Sequence, residues 1–130
     1  MLALLLPGLG HAALGQTRRA VLIGASILSL FAGGILIGGI DCIDRREDQW
    51  WFLGQAFVGP TAFAVDAYHQ SLKVKDPASG ALRAPNPDEN PRFEKSLGRV
   101  NEIGSLFTAI AGLLNVIAIL DAAWHAPSRR

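Results

Sequence analysis

Asp66 and His69 come nearest to chemistry of any pair in this 130-residue chain. Three positions apart, they share one face if the segment is helical, and a carboxylate beside an imidazole can hold or pass a proton. Asn115 is the other polar group set inside an apolar run. It suits a hydrogen bond across helices, at roughly 1 kcal/mol or less of net gain. Together Asp66, His69 and Asn115 make a candidate polar site for proton-coupled transport, provided they converge with His11 on one cavity. The plainer reading is structural: Asp66 and His69 mark a solvated boundary where a helix leaves an apolar layer. Asp121, beside Trp124 and His125, reads as another such edge. His11, within Pro7-Gly8-Leu9-Gly10-His11, could hydrogen-bond a carbonyl freed by the proline.

No stronger set is present. His11, His69 and His125 never fall at a two-ligand spacing, and the single cysteine, Cys42, excludes an internal disulfide or a CxxC pair. No serine sits in a nucleophile elbow, and no Gly-rich loop ends in Lys-Ser/Thr. The expectation is a non-enzyme with no catalytic residue, no cofactor and no metal. With 12 Lys plus Arg against 11 Asp plus Glu, net charge +1, there is no basic field for nucleic acid.

The placement of charge says more than its amount. None of the charged residues falls in 1–17, 20–40, 49–65 or 103–120, which are windows of 17, 21, 17 and 18 residues. A soluble domain spreads about 25% charge over its surface, and runs of about 18 or more apolar residues read as membrane spans. The expected fold is an all-α membrane protein, one integral membrane domain over 1–130. It has three full transmembrane helices (about 20–40, 50–68 and 103–124) and a short, broken or re-entrant N-terminal helix (about 1–15), packed as a helical hairpin bundle. Pro7, Gly8 and Gly10 break the first segment, and Gly59-Pro60 should kink the third.

Residues 41–49, DCIDRREDQ, carry six charges in nine positions and read as a solvated turn. Trp50-Trp51 beyond it suit a headgroup belt. Residues 70–101 form a polar, Pro-rich loop, in which Asn90-Pro91 resembles a helix start. Phe93, Leu97, Val100 and Ile103 then suggest an amphipathic lead-in to the last span. Small residues recur at helix-packing spacing: Ala25, Ser29 and Gly33; Gly34 and Gly38; Gly104, Thr108 and Gly112. Such stripes let backbones approach closely. They serve either packing within the chain, the plainer reading, or a membrane-protein partner or second copy.

Residues 1–15 lack the basic start of a secretory signal, and Pro7-Gly8 interrupts the apolar run. Arg18-Arg19 resembles a twin-arginine signal, but apolar rather than polar residues precede it, and no small-residue cleavage site follows 20–40. The arginines read as the anchor of a retained helix. The abrupt apolar start leaves room for more of that first helix upstream of Met1. The 15–19 turn and the 70–102 loop hold eight Lys or Arg, against four in the 41–49 turn and the C-terminus. If the third segment spans, the first two regions share a side. The positive-inside rule then makes the long loop cytoplasmic and places the C-terminus outside.

Pro7-Gly8-Leu9-Gly10-His11, Gly15, a basic turn and a Gly-rich apolar helix together resemble the opening of the two-transmembrane (TM-two) domain type. The sequence departs from that type at Ala13-Leu14, where an aromatic commonly precedes the glycine. Residues 101–122, NEIGSLFTAIAGLLNVIAILDA, resemble the last span of an uncharacterised multi-pass family of planctomycete-type bacteria. These resemblances cover about half the chain. They imply a bacterial inner-membrane location with the lipid bilayer as surroundings, and supply no activity.

Overall fold

The computed structural model describes residues 2–91, 93–96 and 98–126. Two long helices form its frame: α2, Thr17–Gly38, and α5, Arg99–Trp124. At 1.5 Å per residue they measure about 33 and 39 Å. Their most apolar 18-residue windows have mean hydropathies of 2.4 and 2.2. Both helices are long and apolar enough to cross a membrane. They run antiparallel, because Gly34 and Gly38 of α2 meet Gly104 of α5 while Arg19 meets Asp121. The crossing is backbone on backbone. A methyl placed on Gly104 would lie 2.7 Å from the Gly34 carbonyl oxygen, and one on Gly38 would lie 2.7 Å from the Gly104 Cα. The Gly34/Gly38 and Gly104/Thr108 stripes are thus consumed inside the chain.

The third full span does not exist. Residues 49–71 instead form α3, Gln49–Gln55, a single 3-10 turn at Ala56–Val58, and α4, Pro60–Ser71. At about 10 and 18 Å, neither helix reaches across a hydrocarbon layer of about 30 Å. The reversal is coded at Gly59-Pro60. Gly59 takes φ +100°, which a side chain resists, and Pro60 opens a new helix where its missing N–H costs nothing. What reads as a kink is a stop followed by a start. The hairpin enters beside α5, with Gly54 against Ala109 and against Gly112, and α4 returns to the end it came from.

The N-terminal segment fills the space that the hairpin leaves. A 3-10 turn, Leu2–Leu4, precedes α1, Leu9–Ala13, and Gly8 between them presses against the Ala20 carbonyl of α2. The carbonyls of Leu4 and Leu5 abut Gly59 at the tip of the hairpin. Two partial elements therefore meet end to end beside the long helix pair, and both the first and third segments are broken.

The remainder departs from an all-α expectation. A two-stranded antiparallel ribbon, β1 (Val74–Lys75) with β2 (Leu82–Arg83), occupies the polar loop. The helical lead-in at Asn90-Pro91 is absent from its described residues. α5 begins only at Arg99, after Gly98 at φ +70°, and Leu97 of the expected stripe lies outside the described residues.

Candidate functional site

The 41–49 turn is solvated only in its second half, residues 45–49. Asp41, Cys42, Ile43 and Asp44 are all buried, because the returning hairpin and the 93–96 segment close over them. A charge folds inward only if it finds a partner, and the two buried carboxylates, Asp41 and Asp44, both do. Asp44 is 2% exposed. Its Oδ1 accepts from the amides of Arg46 (2.8 Å) and Glu47 (3.2 Å) and from Gln70 Nε2 (2.8 Å), while Lys73 Nζ binds its Oδ2. Lys73 also reaches Glu47 at 2.6 Å, and Lys95 reaches the other oxygen of Glu47 at 2.5 Å. Burial alone would raise the Asp44 carboxyl, but Lys73, the two amides and Gln70 outweigh it and hold it at about 2. Burial likewise works against the charge of Lys73, yet Asp44 and Glu47 raise it above the ordinary lysine value.

Asp66 and His69 sit in this same cap, 1% and 2% exposed, and not at a solvated boundary. Nor do they pair with each other. Asp66 accepts from the Arg45 amide at 3.0 Å and forms an ion pair with Arg45 Nε at 2.9 Å. His69 Nδ1 donates to the Ile43 carbonyl at 3.1 Å, and its ring lies 5.4 Å from that of Phe93. Asp41 anchors the far side, accepting from the Ser96 amide (2.8 Å) and Asn101 Nδ2 (3.1 Å), with its carboxyl raised chiefly by burial. Burial also pushes the Cys42 thiol up to about 12, so it stays protonated. Beneath the cap, Gln55 Nε2 ties the Cys42 carbonyl (2.8 Å) to Thr108 Oγ1 (2.9 Å).

Asn115 lies elsewhere. Its Nδ2 donates to the Phe57 carbonyl at 2.8 Å, satisfying the hairpin tip where the helical ladder is interrupted. His11 is at the opposite end of the helix pair from the cap. It binds no freed carbonyl through its ring; its Nε2 donates to Asp121 Oδ2 at 2.8 Å, and Arg19 approaches the same carboxylate at 3.5 Å. Asp66 with His69, Asn115, and His11 with Asp121 therefore occupy three levels of the molecule and do not converge on one cavity. That removes the geometric basis for a proton path through them.

The long loop also sits differently from expectation. Lys73 and Lys95 bind the 41–49 turn, so the loop shares that end, while Arg19 and Asp121 bring the 15–19 turn and the end of α5 together at the other. Among the described residues no group of three or more His, Cys, Asp or Glu is placed to hold a metal ion.

A family of unknown function, DUF6677, matches residues 1–130. The chain belongs to the DUF6677 family. No curated protein and no solved structure matches it. In this DUF6677 chain, sequence reasoning missed the cap as a unit. Its trace was present: Asp66, His69, Gln70 and Lys73 recur at helical spacing, a polar stripe along a short helix that has to face something polar.

Proposed function

We propose that this chain is a non-enzymatic, multi-pass membrane protein that serves as an accessory or assembly subunit and docks through a small-residue helix face. One observation carries the reading. Of the small-residue stripes, Gly34/Gly38 and Gly104/Thr108 are used between α2 and α5, and Gly112 is used against Gly54. The Ala25/Ser29/Gly33 stripe points the other way, with Ala25 and Ser29 exposed and nothing within 4 Å of a methyl placed on Gly33. In lipid, an outward small-residue stripe lets another helix approach closely. Its partner is a second copy or another membrane protein's helix.

Burial supports the lipid setting. Only 28% and 44% of the apolar windows of α2 and α5 are covered by the rest of the chain, where a soluble core helix would be mostly covered. Trp50 and Trp124, each 87% exposed, lie near opposite ends of α5 and suit two interfacial belts. In this reading α2 and α5 span a bacterial inner membrane, and the α3–α4 hairpin re-enters from the cap side. Among the described residues the cap end holds seven Lys or Arg and the other end two. The positive-inside rule then orients loop 70–101 to the cytoplasm and the C-terminus outside. The PGLGH opening, with its turn into α2, fits a TM-two-like half.

The test compares adjacent glycines. Gly33→Leu should leave thermal stability in detergent unchanged and abolish the higher-mass complex on native gels. Gly34→Leu, aimed into the α2–α5 crossing, should unfold the protein. A complex that survives Gly33→Leu, or a chain that stays in the aqueous phase after carbonate extraction, refutes the proposal.

A further inference from the structure

Between α2 and α5, away from their glycine crossing, the facing side chains become large and the helices leave a lateral cleft of about 420 Å³. That is within the size range of small-ligand sites, about 300–1,000 Å³. Its walls are Leu22, Ile27, Leu114, Ile117 and Ala118, and Asp121 closes one end. Leu22 also borders an adjoining hollow formed with Thr17, Arg18 and Val21, so the apolar cleft runs on to the arginine pair at the start of α2. Asp121 is already countered by His11 at 2.8 Å and Arg19 at 3.5 Å. Arg18 is exposed and has no ion pair among the described residues. The mouth therefore carries two arginines against one carboxylate, with an acyl-sized apolar slot below.

We propose that this cleft binds one anionic glycerophospholipid, an acyl chain between Leu22 and Ile117 and its phosphate on Arg18 and Arg19. A zwitterionic headgroup would bring a cation to the same arginines and gain less. The inference rests on the membrane-embedded reading and adds a lipid partner in the α2–α5 cleft, whose outer lip, Leu22 and Ser26, borders the Ala25/Ser29/Gly33 stripe.

The experiment uses the full chain in neutral detergent, titrated with phosphatidylglycerol or phosphatidylcholine of identical chains and read by native mass spectrometry and melting temperature. Phosphatidylglycerol should be retained about tenfold better and should raise the melting temperature. Arg18→Gln should cut that preference about fivefold, the effect of one arginine at an anionic surface. Ser26→Leu, which fills the cleft from an exposed position, should lower retention of both lipids while leaving the lipid-free melting temperature unchanged. Equal retention of the two lipids overturns the proposal, as does wild-type preference in Arg18→Gln. So does an Ile117→Cys disulfide between two copies that forms equally with and without lipid, since a second copy would then occupy the cleft from its α5 wall. Carbonate extraction reports separately on membrane embedding, so a failed lipid preference in an embedded protein counts against this site alone.

Discussion

Removing the cation from Asp44 should open the cap, and the size of the effect follows from its surroundings. Asp44 is held at about 2 against an ordinary value of 3.8. At 1.36 kcal/mol per pKa unit, the fold favours the charged carboxylate by about 2.4 kcal/mol. Among the groups that favour the charge Lys73 ranks first, and its side chain is only 3% exposed. Stripping one partner from a buried pair costs about 3–5 kcal/mol. The Arg46 and Glu47 amides and Gln70 remain, so Lys73→Met should cost about 2–3 kcal/mol. By the factor of ten per 1.4 kcal/mol, the Arg46 and Glu47 amides should exchange with solvent roughly 30- to 150-fold faster. Hydrogen exchange in micelles, resolved at those two amides, measures this directly. Asp44→Asn should show a comparable loss, because Lys73 is then left buried with Glu47 alone. The double variant should recover most of it, with a coupling of at least about 1.5 kcal/mol. Less than threefold acceleration in Lys73→Met would refute the reasoning, and so would a double variant whose loss equals the sum of the two singles.

Acid should act on the same lock. Because the folded value of Asp44 is depressed, the stability it contributes is complete above about pH 4 and disappears as the pH falls through about 2; cap exchange followed from pH 5 to 2 should accelerate only in that window. At the helix crossing, Gly104→Ala should gain about 1 kcal/mol of helix propensity. It should lose more, because its methyl meets the Gly34 carbonyl at 2.7 Å and overpacking costs about 1–3 kcal/mol. A net fall in thermal stability is expected, and a rise would show that the crossing is looser than described.

The hydropathy of 20–40 and 103–120, the break at Pro7-Gly8 and the small-residue stripes were legible in the sequence, because each depends on residues close together in the chain. Asn115 was legible in kind, as a buried amide that must bond across elements, though not in its partner, the Phe57 carbonyl. Asp66 and His69 were picked out but assigned the wrong surroundings. Their neighbours, Arg45 and Ile43, come from a turn that reaches them only because the chain reverses at Gly59-Pro60.

That reversal divides what each level decides. The 17 uncharged residues of 49–65 have the composition of a span, and Gly-Pro is equally a kink within one helix or a stop and start between two. Only the space left between the N-terminal segment and α5 selects the hairpin, and with the hairpin comes everything downstream. The loop returns to the end where it began, Asp41, Asp44, Arg45 and Glu47 of DCIDRREDQ find partners, and His11 is left to pair with Asp121 at the far end. Local composition set which stretches are apolar; long-range packing set where the chain turns, because a turn's free energy depends on what it then buries.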